Sequence, residues 1–443
     1  MAILIINGKV VTRDASGTVL DGGAVAIEGT KIVEVDATEV LKPKYKDAEI
    51  IDAKGRIVMP GFINAHMHYY STFARGINFG GRPATTFGEV LNGLWWKLDK
   101  MLTLDDVYYS AIGPMIDQVR MGVTSAIDHH ASPYAVTGSL FKIAEAAEQI
   151  GIRSNLCYEI SDRDGDAIAM DGIKEKIDIV KHCQSRGDDM LKGLVGMHAQ
   201  MTISDKTMDA VVSATEAVGA GYHIHCAEGI EDVVDAIAKY DLRVIERLNA
   251  RGVLNDKSIA VHCIHVTDDE IAMLADSKVA VVHNPESNMS NAVGTSPVLK
   301  MIANGVLVGM GTDGYCTDMT QSLRATHEIH KHAAGVPSVG WGEPPQMLFY
   351  NNQTIMNRFL DGKVGSLESG NYADVIILDY EGTTPINADT INSHILFGIN
   401  GRHTDTTICN GKVIMKNREL VGIDEEKIMA ESRARAQALW DRI

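Results

Sequence analysis

The segment Pro60-Gly61-Phe62-Ile63-Asn64-Ala65-His66-Met67-His68 decides the fold. It continues an apolar run, Ile57 to Met59, and ends on two histidines separated by one residue. Residues i and i+2 of an extended chain point to the same side, so His66 and His68 can offer imidazoles to one metal ion. Two histidines that only pack in the core would show the same spacing, so the pair needs support from the rest of the chain.

That support comes from repetition. Seven later apolar runs also end on histidine, a side-chain amide or a carboxylate: 123–130, 156–162, 194–200, 222–228, 259–265, 279–288 and 306–313. With the first, they predict strand ends near residues 64, 128, 160, 198, 225, 263, 283 and 312. Helical segments alternate with them, and two begin with capping-box spacing, Thr103 with Asp106 and Thr267 with Glu270. Eight βα units in about 300 residues predict a TIM barrel, whose chemistry lies at the carboxyl ends of its strands.

The two ends of the chain look different from this middle part. Residues 1 to 58 contain short apolar segments, predicted as strands, that are separated by Gly, Asp and Asn turns. The same pattern of short strands and turns occurs again after Gly365. Asn7-Gly8 and Asn410-Gly411 each have the signature of a β-hairpin turn. We therefore predict an α/β protein: a distorted (β/α)8 barrel over 59–364, and a small β-sandwich domain built from 1–58 and 365–443. A last helix, 424–443, is predicted to pack beside the sandwich.

Composition limits the class of partner. The formal net charge of −17 opposes binding to nucleic acid or to an anionic membrane surface. The six cysteines include no CxxC pair, and no apolar run has the length of a membrane span, so we expect a cytoplasmic protein without a disulfide framework. The sandwich and the C-terminal helix could support a homodimer, although the sequence does not fix the oligomeric state.

These motifs together identify a resemblance. PGFINAHMH, HIHCAE, VHCIH, HNPESN and GTDG occur in the order found in the amidohydrolase superfamily, and the resemblance covers nearly the whole chain. The chain is most similar to the aminohydrolase branch that contains triazine hydrolases, guanine deaminase and adenosylhomocysteine-type deaminases. Within it, Leu94 to Asp99 and Ser125 to Pro133 resemble the SsnA-type aminohydrolases.

The resemblance implies one divalent metal ion held by His66, His68, His225 and Asp313. Three imidazoles and a carboxylate suit Zn²⁺, with Fe²⁺ or Mn²⁺ as alternatives. The resemblance further implies that Glu228 shuttles protons, that His262 polarises the reacting centre, and that Asp313 accepts a proton from the metal-bound hydroxide. A turn aspartate in GTDG and a carboxylate at a helix N-terminus are the competing structural interpretations of Asp313 and Glu228.

A second metal would need a bridging group that this chain does not offer at the expected place. Binuclear members of the superfamily use a carboxylated lysine near the end of the fourth strand. Here that strand ends at His198, while Lys192 lies at its start. One metal ion per chain is therefore expected.

Polar and aromatic residues beyond the strand ends are the candidate contacts to substrate. They are His198, His129, His130, His283, Asn288, Glu159, Tyr69, Arg75 and Trp95. His223 is either a support for the metal ligands, a substrate contact or a buried structural histidine. Helix packing is the competing explanation for Trp95 and its neighbour Trp96.

The expected reaction is hydrolysis of a C–N bond in a purine-like heterocycle, by deamination with a metal-bound hydroxide. Ring opening of a cyclic amide or amidine needs the same residues, so the sequence leaves both reactions open. A metal-binding scaffold without catalysis is a further alternative, because a fold does not fix a function. Such a scaffold typically lacks a ligand or the proton shuttle, whereas this chain has the whole set.

Overall fold

The computed structural model describes residues 2–442, and both ends of the chain meet in one nine-stranded sheet. Its strands are β1 (Ala2–Val11), β2 (Val19–Glu28), β3 (Lys31–Ala37), β4 (Glu49–Asp52), β5 (Ile57–Pro60), β15 (Val375–Leu378), β16 (Thr404–Cys409), β17 (Lys412–Lys416) and β18 (Glu419–Leu420). The two ends join where β5 pairs antiparallel with β15, with Met59 opposite Ile376. The N–H of Ile32 donates to the carbonyl of Asn371, so the β3 edge folds back toward β15.

The two predicted Asn-Gly turns differ in outcome. Asn410 and Gly411 form the turn between β16 and β17, as predicted. The prediction of a hairpin turn at Asn7-Gly8 is wrong, because both residues lie inside β1. The pairing of β1 with β2 shifts there, between Ile5 and Gly8. Asn7 has a φ of 55°, so this turn-forming pair makes a bulge in a continuous strand.

The middle of the chain forms two parallel sheets that together complete the barrel. Their strands are β6 (Phe62–Met67), β7 (Val123–His130), β8 (Arg153–Tyr158), β9 (Leu191–Gly193), β10 (Val195–Ala199), β11 (Tyr222–Cys226), β12 (Ile259–His262), β13 (Ala280–His283) and β14 (Leu307–Met310). β9 and β10 are two halves of the fourth barrel strand. Every residue of β6 and of β7 is buried, as expected for parallel strands covered by helices.

Isolated bridges close the barrel at both seams between the sheets. Ile160 bridges Met197, and the N–H of His198 donates to the carbonyl of Ile160 at 2.9 Å. At the other seam Met67 bridges Asp313, and the N–H of Thr312 donates to the carbonyl of His66 at 3.0 Å. The predicted fold class was an α/β protein with a distorted (β/α)8 barrel and a small β-sandwich domain from both termini; the barrel is confirmed, and the strands of both termini form one sheet, as expected for a shared terminal domain.

Helices cover the barrel and the ends of the sheet. They are α1 (Thr38–Leu41), α2 (Phe87–Val90), α3 (Trp96–Met101), α4 (Leu104–Arg120), α5 (Ser139–Ile150), α6 (Asp166–Arg186), α7 (Asp205–Glu216), α8 (Ile230–Tyr240), α9 (Val244–Ala250), α10 (Asp268–Ser277), α11 (Pro285–Ser290), α12 (Val298–Ala303), α13 (Met319–Ala334), α14 (Glu343–Pro345), α15 (Asn352–Asn357), α16 (Ile391–Phe397) and α17 (Glu425–Trp440). Short 3-10 or π turns span Tyr69–Ala74, Leu91–Trp95, Gln200–Thr202, Gln346–Asn351 and Gly401–His403. Both predicted capping boxes are present, at the starts of α4 and α10.

The C-terminal helix packs differently from the prediction. α17 lies against α4 of the barrel, where the Ser432 hydroxyl donates to the carbonyl of Tyr109. The indole N–H of Trp440 donates to the carbonyl of Phe73 at 2.8 Å. The helix therefore covers the barrel wall rather than the sheet. Among residues 2–442, no helix is both long and apolar enough to cross a membrane.

Candidate metal-dependent active site

Three imidazoles meet at the carboxyl ends of the first and fifth barrel strands. His66 lies near the end of β6, His68 follows that strand directly, and His225 lies on β11. Nε2 of His68 is 3.2 Å from Nε2 of His225 and 3.3 Å from Oδ1 of Asp313, which follows β14. Nε2 of His66 lies 4.0 Å from the same carboxylate oxygen. The i, i+2 spacing of His66 and His68 therefore places both rings at one point, as the sequence predicts.

Each of these imidazoles is held through its other nitrogen. Nδ1 of His68 faces the carbonyl of His129 at 2.5 Å, and Nδ1 of His225 faces the carbonyl of His198 at 2.7 Å. A carbonyl only accepts, so Nδ1 carries the proton in both rings and Nε2 presents a lone pair. Nδ1 of His66 lies 2.9 Å from Nε2 of His223. His223 thus supports a candidate metal ligand and does not line the cavity described below.

The donor set fits a divalent metal ion. Nε2 of His66 is buried without a hydrogen-bond partner, and burial lowers the pKa of His66 and of His225 well below its ordinary value, which keeps both rings neutral. Neutral imidazole is the form that binds a metal. Two ligand atoms about 2.1 Å from a tetrahedral ion are roughly 3.4 Å apart. The separations around Nε2 of His68, 3.2 and 3.3 Å, match that spacing.

A second group of side chains adjoins the candidate ligands. Nε2 of His262 lies 3.4 Å from Oδ2 of Asp313 and 3.5 Å from Oε2 of Glu228. Burial, reinforced by Asp313, raises the pKa of Glu228 well above its usual range. These three residues can therefore hold and exchange protons beside the imidazole cluster.

The backbone is strained where it presents these groups. His262 and Cys263 at the end of β12 have φ values of 70° and 47°, and Asp313 has a φ of 55°. Ala227, just before Glu228, has a φ of 46°. Left-handed conformations of non-glycine residues cost about 1–2 kcal/mol each and are found at functional sites. The surrounding barrel stabilises these conformations and thereby fixes the direction of each side chain.

A cavity of about 260 Å³ opens onto this cluster. Its walls include the rings of Tyr70, Phe87, Trp95, Trp96 and Tyr315. Its charged lining consists of carboxylates alone: Glu159, Glu228, Glu231, Asp232 and Asp313. No lysine or arginine among residues 2–442 belongs to this lining. The cavity therefore suits a flat ring that carries no negative charge.

Three of the predicted substrate contacts line the cavity: His198, Glu159 and Trp95. Nδ1 of His198 faces the hydroxyl of Thr202 at 2.9 Å, which leaves the rest of its ring toward the cavity and Trp96. Oε1 of Glu159 lies 3.0 Å from Nδ1 of His129.

The other six predicted contacts lie outside the cavity lining. His129 is fully buried between Glu159 and the carbonyl of His223, so it supports the cluster from behind. His130 faces the hydroxyl of Ser132 at 2.9 Å. Asn288 holds His262, and His283 packs against His330 with ring centroids 5.0 Å apart. These four residues correct the prediction, because their hydrogen bonds and packing are directed into the protein.

Tyr69 and Arg75 are placed away from the cavity for a different reason. The chain leaves the strand at His68 and enters the 3-10 turn Tyr69–Ala74, so the alternation of an extended strand stops there. The hydroxyl of Tyr69 points into the barrel wall and donates to Gln118, whereas its neighbour Tyr70 lines the cavity. Arg75 is half exposed and lies 3.5 Å from Asp117.

Several lining residues were not predicted: Tyr70, Phe87, Leu91, Met201, Ser287, Asn291 and Tyr315. Asn291 and Tyr315 lie within three residues of predicted positions, Asn288 and Asp313, so extending each motif by one helical turn would have included them. Phe87, Leu91 and Met201 lie in short helical turns between the barrel strands, and nothing in their spacing marks them. Lys192 lies 2.7 Å from Asp189, an ion pair at the start of the fourth barrel strand, away from the strand ends that form this site.

Comparison with known proteins agrees with this architecture. The family model described as "Amidohydrolase family" matches residues 57–414. A 5'-deoxyadenosine deaminase of Methanobrevibacter smithii is 30% identical over 94% of each chain. A 5-methylthioadenosine/S-adenosylhomocysteine deaminase of Pelotomaculum thermopropionicum is 29% identical over 99% of each chain.

Among solved structures, an adenosine deaminase from Xanthomonas campestris with bound zinc superposes with a TM-score of 0.86. It is 23% identical and covers 99% of this chain and 98% of its own, so it supports the fold. The family model spans both the barrel strands and the join with the terminal sheet. This chain belongs to the amidohydrolase family.

Proposed function

We propose that this protein is a metal-dependent hydrolase that deaminates an uncharged, purine-like heterocycle. The proposal rests on one observation. Glu228, His262 and Asp313 lie together beside three imidazoles, at the end of a cavity with aromatic walls. The two relatives above are named as deaminases of adenosine derivatives. We further propose that His66, His68, His225 and Asp313 hold one ion per chain, with Zn²⁺ as the expected metal.

The residues of this chain supply the proton transfers. When bound, a divalent metal supplies Lewis-acid activation of the attacking water. Asp313, next to His262, is placed to accept a proton as the water oxygen adds to the ring carbon. Glu228 faces the cavity, where its carboxyl group can deliver a proton to the neighbouring ring nitrogen. It then takes up the proton that the added hydroxyl group loses and passes that proton to the leaving amino group. Asp313 returns its proton to Glu228, so both side chains end as they began. Ammonia leaves, and the ring carbon keeps the oxygen as a carbonyl.

The cavity lining supports an uncharged substrate. Apart from Glu228 and the proposed ligand Asp313, the lining carries Glu159, Glu231 and Asp232 and, within residues 2–442, no lysine or arginine, so it opposes a phosphate or a free carboxylate. Aromatic walls favour a flat ring by stacking and edge contacts. Nucleobases and nucleosides without a phosphate group therefore fit the lining better than nucleotides.

Zinc-loaded protein should be incubated with adenosine, 5'-deoxyadenosine, guanine and a set of related purines, followed by an ammonia assay and mass spectrometry. Free ammonia with an amino group replaced by oxygen supports deamination. Addition of water without ammonia indicates ring opening and would overturn the deaminase assignment while keeping the hydrolase. No change in any compound would favour a scaffold that binds metal without catalysis.

A further inference from the structure

Asn291 and Tyr315 form a hydrogen-bonded pair on the cavity wall that reaches Glu228. Asn291 follows α11, and Tyr315 follows Asp313 in the loop after β14. The hydroxyl of Tyr315 donates to Oδ1 of Asn291 at 2.9 Å. Nδ2 of Asn291 lies 3.4 Å from Oε1 of Glu228 and 3.3 Å from the hydroxyl of Ser287.

This arrangement fixes the direction of the Asn291 amide. The amide has an acceptor end and a donor end, and only the acceptor end can receive the Tyr315 proton. A reversed amide would turn Oδ1 toward Glu228 and could no longer accept the proton of Tyr315. The donor end therefore faces Glu228.

Asn291 contacts Oε1 of Glu228, so the other oxygen, Oε2, stays available for proton transfer. Oε2 lies 3.5 Å from Nε2 of His262, on the side of Asp313. Glu228 is only 12% exposed, and Asn291 is the side chain that donates to it among residues 2–442. Without that donor, rotation of the carboxyl group about its last bond would be restricted only by packing.

The same segment also holds the second proton-handling residue. Asn288 lies three positions before Asn291, and its Oδ1 is 2.8 Å from Nδ1 of His262. Residues three apart lie on the same face of a helix. One turn at the end of the seventh barrel strand therefore sets both His262 and Glu228.

We propose that Asn291 and Tyr315 are positioning residues for Glu228: Tyr315 orients the Asn291 amide, and Asn291 aims the carboxyl group at His262 and Asp313. Neither residue takes or gives a proton in the reaction. The proposal rests on the proposed function only in the role of Glu228 as proton carrier.

A double-mutant cycle tests the pair in zinc-loaded enzyme. Tyr315→Phe removes one oxygen and keeps the ring, and Asn291→Ala removes the amide. We expect each to lower kcat about 10-fold to 100-fold with little change in KM, the cost of a displaced catalytic group. Because Tyr315 acts through Asn291, Tyr315→Phe should have little further effect in an Asn291→Ala background. Additive losses, or a loss confined to KM, would overturn the proposal and indicate a simple change of cavity shape.

Tyr108→Phe is the matched control, because the Tyr108 hydroxyl donates to Gln149 on the outer surface. It should leave kcat and KM unchanged. Crystal structures of zinc-loaded wild type and Tyr315→Phe provide a readout that needs no substrate. A turned Asn291 amide or a displaced Glu228 carboxyl group supports the proposal even if deamination is not the reaction. An unmoved Asn291 and Glu228 would overturn it whatever the reaction.

Discussion

Oδ1 of Asn288 lies 2.8 Å from Nδ1 of His262, at the back of the imidazole ring. The amide oxygen only accepts, so Nδ1 of His262 carries the proton and Nε2 presents its lone pair toward Asp313 and Glu228. Asn288 itself does not line the cavity. It is thus a support for His262 rather than the substrate contact that the sequence suggested.

Replacing Asn288 should therefore lower turnover without weakening substrate binding. Asn288→Leu removes the acceptor at similar volume, and we expect kcat to fall about 10-fold or more with little change in KM. Asn288→Asp keeps an oxygen at the same place and should lose less. Steady-state kinetics and metal content of both variants check this expectation. A Leu variant with the kcat of the wild type would show that His262 does not need this contact.

Glu228→Gln should separate catalysis from metal binding. The amide keeps the shape and the contact with Asn291 but cannot carry protons, so kcat should fall by about 10²–10⁴-fold. Metal content should remain that of the wild type, because Glu228 is outside the proposed ligand set. Loss of the metal along with activity would show instead that Glu228 helps to hold the ion.

The acidic lining should make the enzyme discriminate by charge. Adenosine and adenosine monophosphate share a base and a sugar and differ in a phosphate group. We expect calorimetry with zinc-loaded protein to detect binding of the nucleoside and at least about 10-fold weaker binding of the nucleotide, the effect of about 1.4 kcal/mol of repulsion. Equal affinities would contradict the proposed repulsion between the lining carboxylates and a phosphate group.

The buried amino group of Lys176 should make the stability of the fold depend on pH. Its amino group is buried, donates to the carbonyl of Gly196 at 2.6 Å, and lies near Cys157. Burial holds its pKa well below the ordinary 10.5. At a pH between the lowered pKa of Lys176 in the folded protein and its pKa of 10.5 in the unfolded chain, only the unfolded chain binds a proton at this amino group. Lys176 therefore lowers the free energy of unfolding at neutral pH. This loss of stability becomes smaller as the pH rises toward 10.5.

Lys176→Met should therefore unfold at a higher temperature than the wild type near pH 7, with a smaller difference near pH 10. Thermal denaturation at both pH values measures this. A variant that is less stable than the wild type at pH 7 would show that the hydrogen bond to Gly196 outweighs the cost of burying the amino group.

The residues at the strand ends were the part of the molecule that the sequence predicted best. The spacing of His66 and His68, the apolar runs before His225 and Asp313, and the turn at Asn410-Gly411 all act through local backbone geometry, which the sequence encodes directly. The bulge at Asn7 was missed because the same Asn-Gly pair can adopt positive φ in a turn or inside a strand.

Side-chain direction beyond the strand ends was less open to prediction. Tyr69 and Tyr70 are neighbours, and the 3-10 turn that begins at Tyr69 decides which of them reaches the cavity. Arg75 and Asn288 are polar residues near the site whose partners, Asp117 and His262, are distant in sequence. The docking of α17 on α4 likewise depends on tertiary contacts such as that between Trp440 and the carbonyl of Phe73. Sequence spacing alone does not contain these pairings.

The most direct test of the central claim measures metal content and turnover on one preparation of native protein and of Asp313→Asn. Elemental analysis should find one divalent ion per native chain, and mass spectrometry should show deamination of an uncharged purine. Asp313→Asn should lose turnover, because the ligand set and the proton acceptor are both impaired. Two ions per chain would contradict the single-metal site, and no bound metal after incubation with zinc would contradict the proposed ligands His66, His68, His225 and Asp313.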